Sequence, residues 1–170
     1  MTGREILAAA SSFVDEEIDE KDALFAINAA ISEIGDMALM TDYVTLTSKK
    51  GDWETVSQDL LTITGIENSE GKEITDYRER NGEVRFKIPG KYTIWYRRMP
   101  KGITTLDDTP ELHPAFHPCL TTYLSYWFKK KDDDENTDAN FLYEKFMTDI
   151  RRVFAIINRK RTPMTVRVVR

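Results

Sequence analysis

The residues with the most chemistry in them stand close together, in the run His113-Pro114-Ala115-Phe116-His117-Pro118-Cys119. Two histidines four apart can share one face of a helical turn and both reach a zinc ion, and a thiolate can join them. Three features count against that use. A metalloprotease helix carries a glutamate directly after its first histidine as general base, and here Pro114 occupies that place. Cys119 follows His117 by two residues, a rotation of about 200° at roughly 100° per helical residue, so it points away from it. A proline after His113 also disfavours helical backbone at that histidine. The run reads as the packed and capped start of a helix, and neither a metal nor a cofactor is expected. A metal-dependent hydrolase or nuclease built on His113 and His117 is the enzymatic alternative.

The acidic stretch from Asp132 to Asp138 raises calcium as a second possibility. A calcium loop of the EF-hand type needs Gly at its sixth position and Glu at its twelfth. Counting from Asp132 these are Thr137 and Tyr143, and from Asp133 they are Asp138 and Glu144, so neither frame has both. The stretch reads as a charged loop. Phosphate-cradling glycine loops, dinucleotide fingerprints and nucleophile elbows do not occur. Arg97-Arg98 beside Trp95 and Tyr96 could stack on bases as single-strand binders do. An acidic body repels phosphates, however, and the same aromatics are expected in the core of a sheet. By elimination a non-catalytic, protein–protein role is the expectation.

Charge gives that expectation a direction. The chain has 170 residues and a net charge of −5. Residues 151–170 carry seven basic side chains and no acid, which leaves −12 on residues 1–150. An acidic body with a basic end suggests a tail that docks onto an acidic partner. The length suits one domain, or one domain with an insertion, able to bury about 70% of its unfolded surface. A single cysteine makes no intrachain bridge and fits a reducing compartment. No run approaches the roughly 18 apolar residues of a membrane span.

The elements that position these residues follow from periodicity. Ile6, Ala10, Phe13 and Val14 fall on one face of a first helix. A second is capped by Asp22 and striped by Leu24, Ile27, Ile31, Ile34 and Ala38, with Ala23, Ala26, Ala29 and Ala30 small enough to let another helix approach. From Thr41 the pattern alternates. Val44–Leu46 is one strand, Leu61–Ile63 another, closed by Gly65. Two arms flank Asn81-Gly82, a strong hairpin signal, and place Val84, Phe86 and Ile88 on one side. Lys91–Arg98 is a long aromatic strand. A period of two with one wet face means antiparallel sheet. An extended connector, Ile103 to Pro114, leads to a helix with Phe116, Leu120, Tyr123, Leu124, Trp127 and Phe128. The loop Lys129–Asp138 separates it from a fourth helix through Leu142, Phe146, Ile150, Val153 and Ile157, ending at Asn158. The expected class is α+β. A bundle of about four helices (residues 1–40 and 101–158) carries an inserted antiparallel β-domain (41–100) and an extended basic arm (159–170).

The order of these features resembles the head-to-tail adaptor proteins of tailed bacteriophages, the tail tubular protein A type. The residues that carry the resemblance are Asp22–Ala38, Leu60–Ile66, the Asn81-Gly82-Glu83-Val84-Arg85-Phe86 hairpin, Tyr96 before Met99-Pro100, and Asp108-Thr109-Pro110-Glu111-Leu112 ahead of a helix. The resemblance implies a virion protein of the neck without catalytic activity, made in the host cytoplasm. It implies a homo-oligomeric ring, dodecameric in the virion, beneath the portal protein. The ring extends the DNA channel, passes DNA without sequence-specific binding and presents a surface to the tail or the next neck protein. It also implies that the C-terminal arm embraces the portal, which by position falls to Arg159, Lys160, Arg161, Met164, Val166, Arg167, Val168 and Arg170. No membrane contact is expected. A protein-binding adaptor module outside any virus is the remaining alternative.

Overall fold

A computed structural model describes residues 1–14, 17–132 and 137–161. They form an α+β protein of four helices and two small antiparallel sheets. Two compact units divide the chain: Met1–Ala38 with Pro100–Arg170, and Leu39–Met99. None of the described helices is long and apolar enough to cross a membrane.

The first unit is helical. α1 (Gly3–Val14) starts with a reciprocal capping box. The Glu5 N–H donates to Thr2 Oγ1 (3.2 Å), and the Thr2 N–H donates to Glu5 Oε2 (3.0 Å). It buries Ile6, Ala10 and Val14, while Phe13 is 66% exposed. At roughly 100° per residue Phe13 lies about 65° off the centre of the buried stripe, outside its edge. α2 (Glu20–Ile34) is capped by Asp19, whose carboxylate accepts from the Lys21 and Asp22 amides. Asp22, the expected cap, sits inside the first turn and pairs with Lys131 Nζ at 2.5 Å. Ala23, Ala26 and Ala30 are fully buried beside Ile27, Ile31 and Ile34, so the small residues do allow close packing, against α3.

α3 (His117–Asp132) follows a 3-10 turn over Pro114–Phe116, and α4 is Thr137–Arg161. Two boundaries differ from expectation. Lys129–Asp132 belong to α3, because cations in a last turn meet the negative end of the helix dipole. α4 continues past Asn158 through Arg161. One core joins all four helices, with Phe116, Leu120, Leu124, Phe146 and Ile150 at its centre.

The second unit holds β1 (Met40–Ser48), β2 (Glu54–Thr55), β3 (Thr62–Asn68), β4 (Tyr77–Arg80), β5 (Glu83–Phe86) and β6 (Gly90–Arg98). The sheets run β1-β6-β3 and β2-β5-β4. Asn81 (φ 47°) and Gly82 (φ 78°) make the two-residue turn of the β4–β5 hairpin, a conformation that asks for positive φ at both places. Val84 and Phe86 are buried and Ile88 is 72% exposed, because β5 ends at Phe86 and the alternation stops with it. Gly65 does not close β3 but lies within it, where the register against β6 shifts between Ile63 and Gly65. On β6, Tyr92, Ile94, Tyr96 and Arg98 face inward, and Phe86 stacks on Tyr92 with ring centroids 3.8 Å apart.

Candidate functional site

The connector between the β-unit and α3 is held by specific bonds. Asn28 of α2 grips the Ile103 backbone twice: its Oδ1 accepts the Ile103 N–H at 2.8 Å and its Nδ2 donates to the Ile103 carbonyl at 2.9 Å. Ile103, Leu106 and Leu112 are buried in the helical core, so the segment is an anchored strap with turns, not an extended spacer. Asp108 ties the turn, accepting from the Thr104 hydroxyl (2.7 Å) and from the Thr104 and Thr105 amides (2.9 and 2.8 Å). These bonds, the Thr104 hydroxyl first, hold its carboxyl below the usual range. The strap in turn receives α1. The Gly3 and Arg4 amides donate to the Asp108 and Leu106 carbonyls, and a Cβ on Gly3 would stand 2.8 Å from Ile103 Cδ1 and 3.0 Å from Leu106 Cα. A larger residue there would have to displace the strap by a few tenths of an ångström.

The histidines separate at this point. His113 caps the 3-10 turn, its Nδ1 accepting the Ala115 N–H at 3.2 Å. His117, at the start of α3, is 3% exposed. Its Nδ1 lies 2.8 Å from the Met1 amine, and its Nε2 is buried without a hydrogen-bond partner. Burial first, and the Met1 ammonium second, push this imidazole below its ordinary value, with the Leu112 and Pro110 carbonyls opposing. Cys119 is buried, and burial, with Asp149 adding to it, raises its thiol to about 11, which makes it a poor nucleophile. His113, His117 and Cys119 do not converge. Among the described residues no group of three His, Cys, Asp or Glu could hold a metal ion.

The neutral state of His117 has a pH consequence. A histidine with a lowered folded value favours the unfolded chain once the medium falls below the unfolded value of about 6.5, because the unfolded state then binds more protons. The melting temperature is expected to drop between about pH 7 and 5, and His117→Gln to flatten that drop. A profile unchanged by the substitution overturns this assignment. Asp108 acts in a separate window, with its contribution lost only as pH falls below about 4.

The basic end of the chain begins on α4. Arg151 and Arg152 are exposed, as are Phe154 (40%) and Ile156 (47%), so apolar and cationic groups share the last turns. Arg159, Lys160 and Arg161 form the end of the same helix. Met164, Val166, Arg167, Val168 and Arg170 lie outside the described residues.

In the β-unit the arginine pair of β6 divides. Arg97 is exposed, but Arg98 is 6% exposed. Its Nε donates to Asp42 at 3.1 Å and lies 3.9 Å from Asp59, and its Nη1 donates to the Met99 carbonyl. Inward alternation along β6 places Arg98 there, and two carboxylates make its burial tolerable. Trp95 packs against Tyr43 at 5.0 Å. Arg97, Arg98, Trp95 and Tyr96 do not make one surface for bases, because Tyr96 and Arg98 point inward, Tyr96 into the core of the sheet as expected. A different cationic group occupies the other sheet. The Arg80 guanidinium lies 4.2 Å from the Trp53 ring centroid and that of Arg85 6.0 Å, and Arg78 stands directly opposite Arg85 across the β4–β5 ladder. The two-residue spacing of Arg78 and Arg80, and of Arg85 and Lys87, carried this face in the sequence, but only the hairpin register brings the strands together.

No protein-family model matches the chain, and no curated protein matches it.

Proposed function

We propose that the chain is a structural connector subunit of the head–tail junction of a tailed bacteriophage, an adaptor that forms a ring beneath the portal, extends the DNA channel and offers the tail its attachment surface. The observation that carries this reading is the element order. A helical unit made from both ends of the chain is interrupted by a β-unit, and its last helix delivers exposed Arg151, Arg152, Phe154 and Ile156 into the basic segment 159–170. In this reading a four-helix bundle makes the subunit–subunit contacts of a closed ring. The arm contributes Arg159, Lys160, Arg161, Met164, Val166, Arg167, Val168 and Arg170 to the portal. The tail or the next neck protein meets the opposite side, and DNA passes without sequence-specific contact.

Deleting residues 159–170 tests it. The shortened protein is expected to keep its helical signal and its cooperative melt. It is expected to lose at least about 30-fold in affinity for its cognate portal ring, equivalent to about 2 kcal/mol. Full-length binding is expected to weaken with added salt, as rim charge pairs do. Undiminished portal binding by the shortened protein removes the arm from the dock.

A further inference from the structure

The β2-β5-β4 sheet carries a cationic face that the connector reading does not use. Val84 and Phe86 take the buried side of β5, so Arg85 and its cross-strand partner Arg78 occupy the other, and both are exposed. Arg80 and Lys87 continue that face two residues along each strand, a repeat of about 6.8 Å from strand rise. Two of the cations are already matched: Lys87 with Asp76 at 2.8 Å and Arg80 with Glu83 at 3.3 Å. Arg78, Arg85 and Lys50 have no carboxylate within ion-pair distance among the described residues, and all three line one open pocket of about 630 Å³.

Like charges directly opposite destabilise a ladder. Here the pair is kept, with the Trp53 ring near Arg85 and under the neighbouring Arg80. Phosphates set against Arg78 and Arg85 screen the repulsion and accept planar, bidentate bonds from each. The acidity of the whole chain does not oppose this. Residues 39–99 hold ten acidic and ten basic side chains, so the unit is neutral and its positive side is local.

The geometry points to single-stranded nucleic acid as the ligand of this face, with successive phosphates on Arg78, Arg85 and Lys50 and a base in the pocket beside them. Three unmatched cations spread over two strands and the neighbouring turn suit a chain of phosphates better than one isolated anion. An open pocket edged by the Tyr77 ring suits planar bases, the combination that single-strand binders use. This goes beyond the connector reading and does not rest on it.

Fluorescence anisotropy with a labelled oligothymidylate long enough to fill a site of roughly 4–16 nucleotides tests the proposal on the full chain. Three phosphate contacts at about −0.7 each give a log–log salt slope near −2, so affinity is expected to fall about 20-fold between about 50 and 200 mM salt. Arg85→Glu is expected to weaken binding about tenfold and to lower the slope by about one. The same substitution places a carboxylate opposite Arg78, so the melting temperature is expected to hold or rise while binding falls. Lys72→Glu, a like charge change beyond the end of β3, is expected to leave binding within about twofold. Absence of oligonucleotide binding at low salt overturns the proposal. So does equal loss in the Lys72 variant, or displacement of the oligonucleotide by polyglutamate at equal charge concentration, which assigns the face to acidic protein segments.

Discussion

Phe146→Ala is expected to remove about 3–5 kcal/mol from the helical unit, the range for emptying a fully buried aromatic site. Phe146 has no exposed surface, meets Tyr123 edge-on at 4.9 Å, and belongs to the core shared by all four helices. A loss of that size is about a fifth or more of the 5–15 kcal/mol by which folded domains exceed their unfolded states. Phe141, on the same helix, is the internal control. It is 66% exposed, and its alanine variant is expected within about 0.5 kcal/mol of the parent. Urea denaturation followed by circular dichroism measures both. Similar midpoints for the two variants would refute the assigned core.

The second large effect is expected at Phe86→Ala. This ring is 1% exposed and lies nearly parallel to Tyr92, 7° from coplanar. The cavity again costs about 3–5 kcal/mol, but from a smaller core, made of Val56, Ile66, Val84, Phe86, Tyr92, Ile94 and Tyr96. Small cores hold little reserve. Amide exchange at Val84 and Ile94 is expected to accelerate by two to three orders of magnitude or more, about one per 1.4 kcal/mol. Ile88→Ala, at a 72% exposed position, is expected to leave those amides alone. Unchanged protection in the Phe86 variant overturns the prediction.

The α+β class was legible in the sequence because two periods alternate along the chain. The stripe of α2 and the Asn81-Gly82 turn are local signals, and they hold in the structure. What could not be read has local or tertiary causes that compete with those signals. Asp19 and Asp22 are equally good caps by type, and Asp19 won because the helix begins at Glu20. Thr2-Gly3-Arg4-Glu5 holds the capping signal of α1 outside the apolar stripe that marks the helix. Gly65 is a breaker by composition, yet a register shift against β6 absorbs it. Lys129–Lys131 look like loop by charge, yet they complete a helix C-terminus.

The candidate site was harder. His113 and His117 are four apart in sequence and take different roles, one capping a turn and the other buried. Arg98 looked like a surface cation until alternation along β6 turned it inward onto Asp42. The opposition of Arg78 and Arg85 comes from hairpin register, which fixes cross-strand neighbours that neither strand names by itself.

The split of the helical unit also sets an order of events during synthesis. α1 and α2 leave the ribosome early, but their buried stripes pack against α3, which begins only at His117. At roughly 5–20 residues per second, the apolar faces of Ile6, Ala10, Ile27 and Ile31 wait several seconds for their partner. The β-unit, Leu39–Met99, is complete before α3 exists, since its last strand ends at Arg98. All six strands are therefore synthesised while the apolar faces of α1 and α2 still lack α3 as a partner.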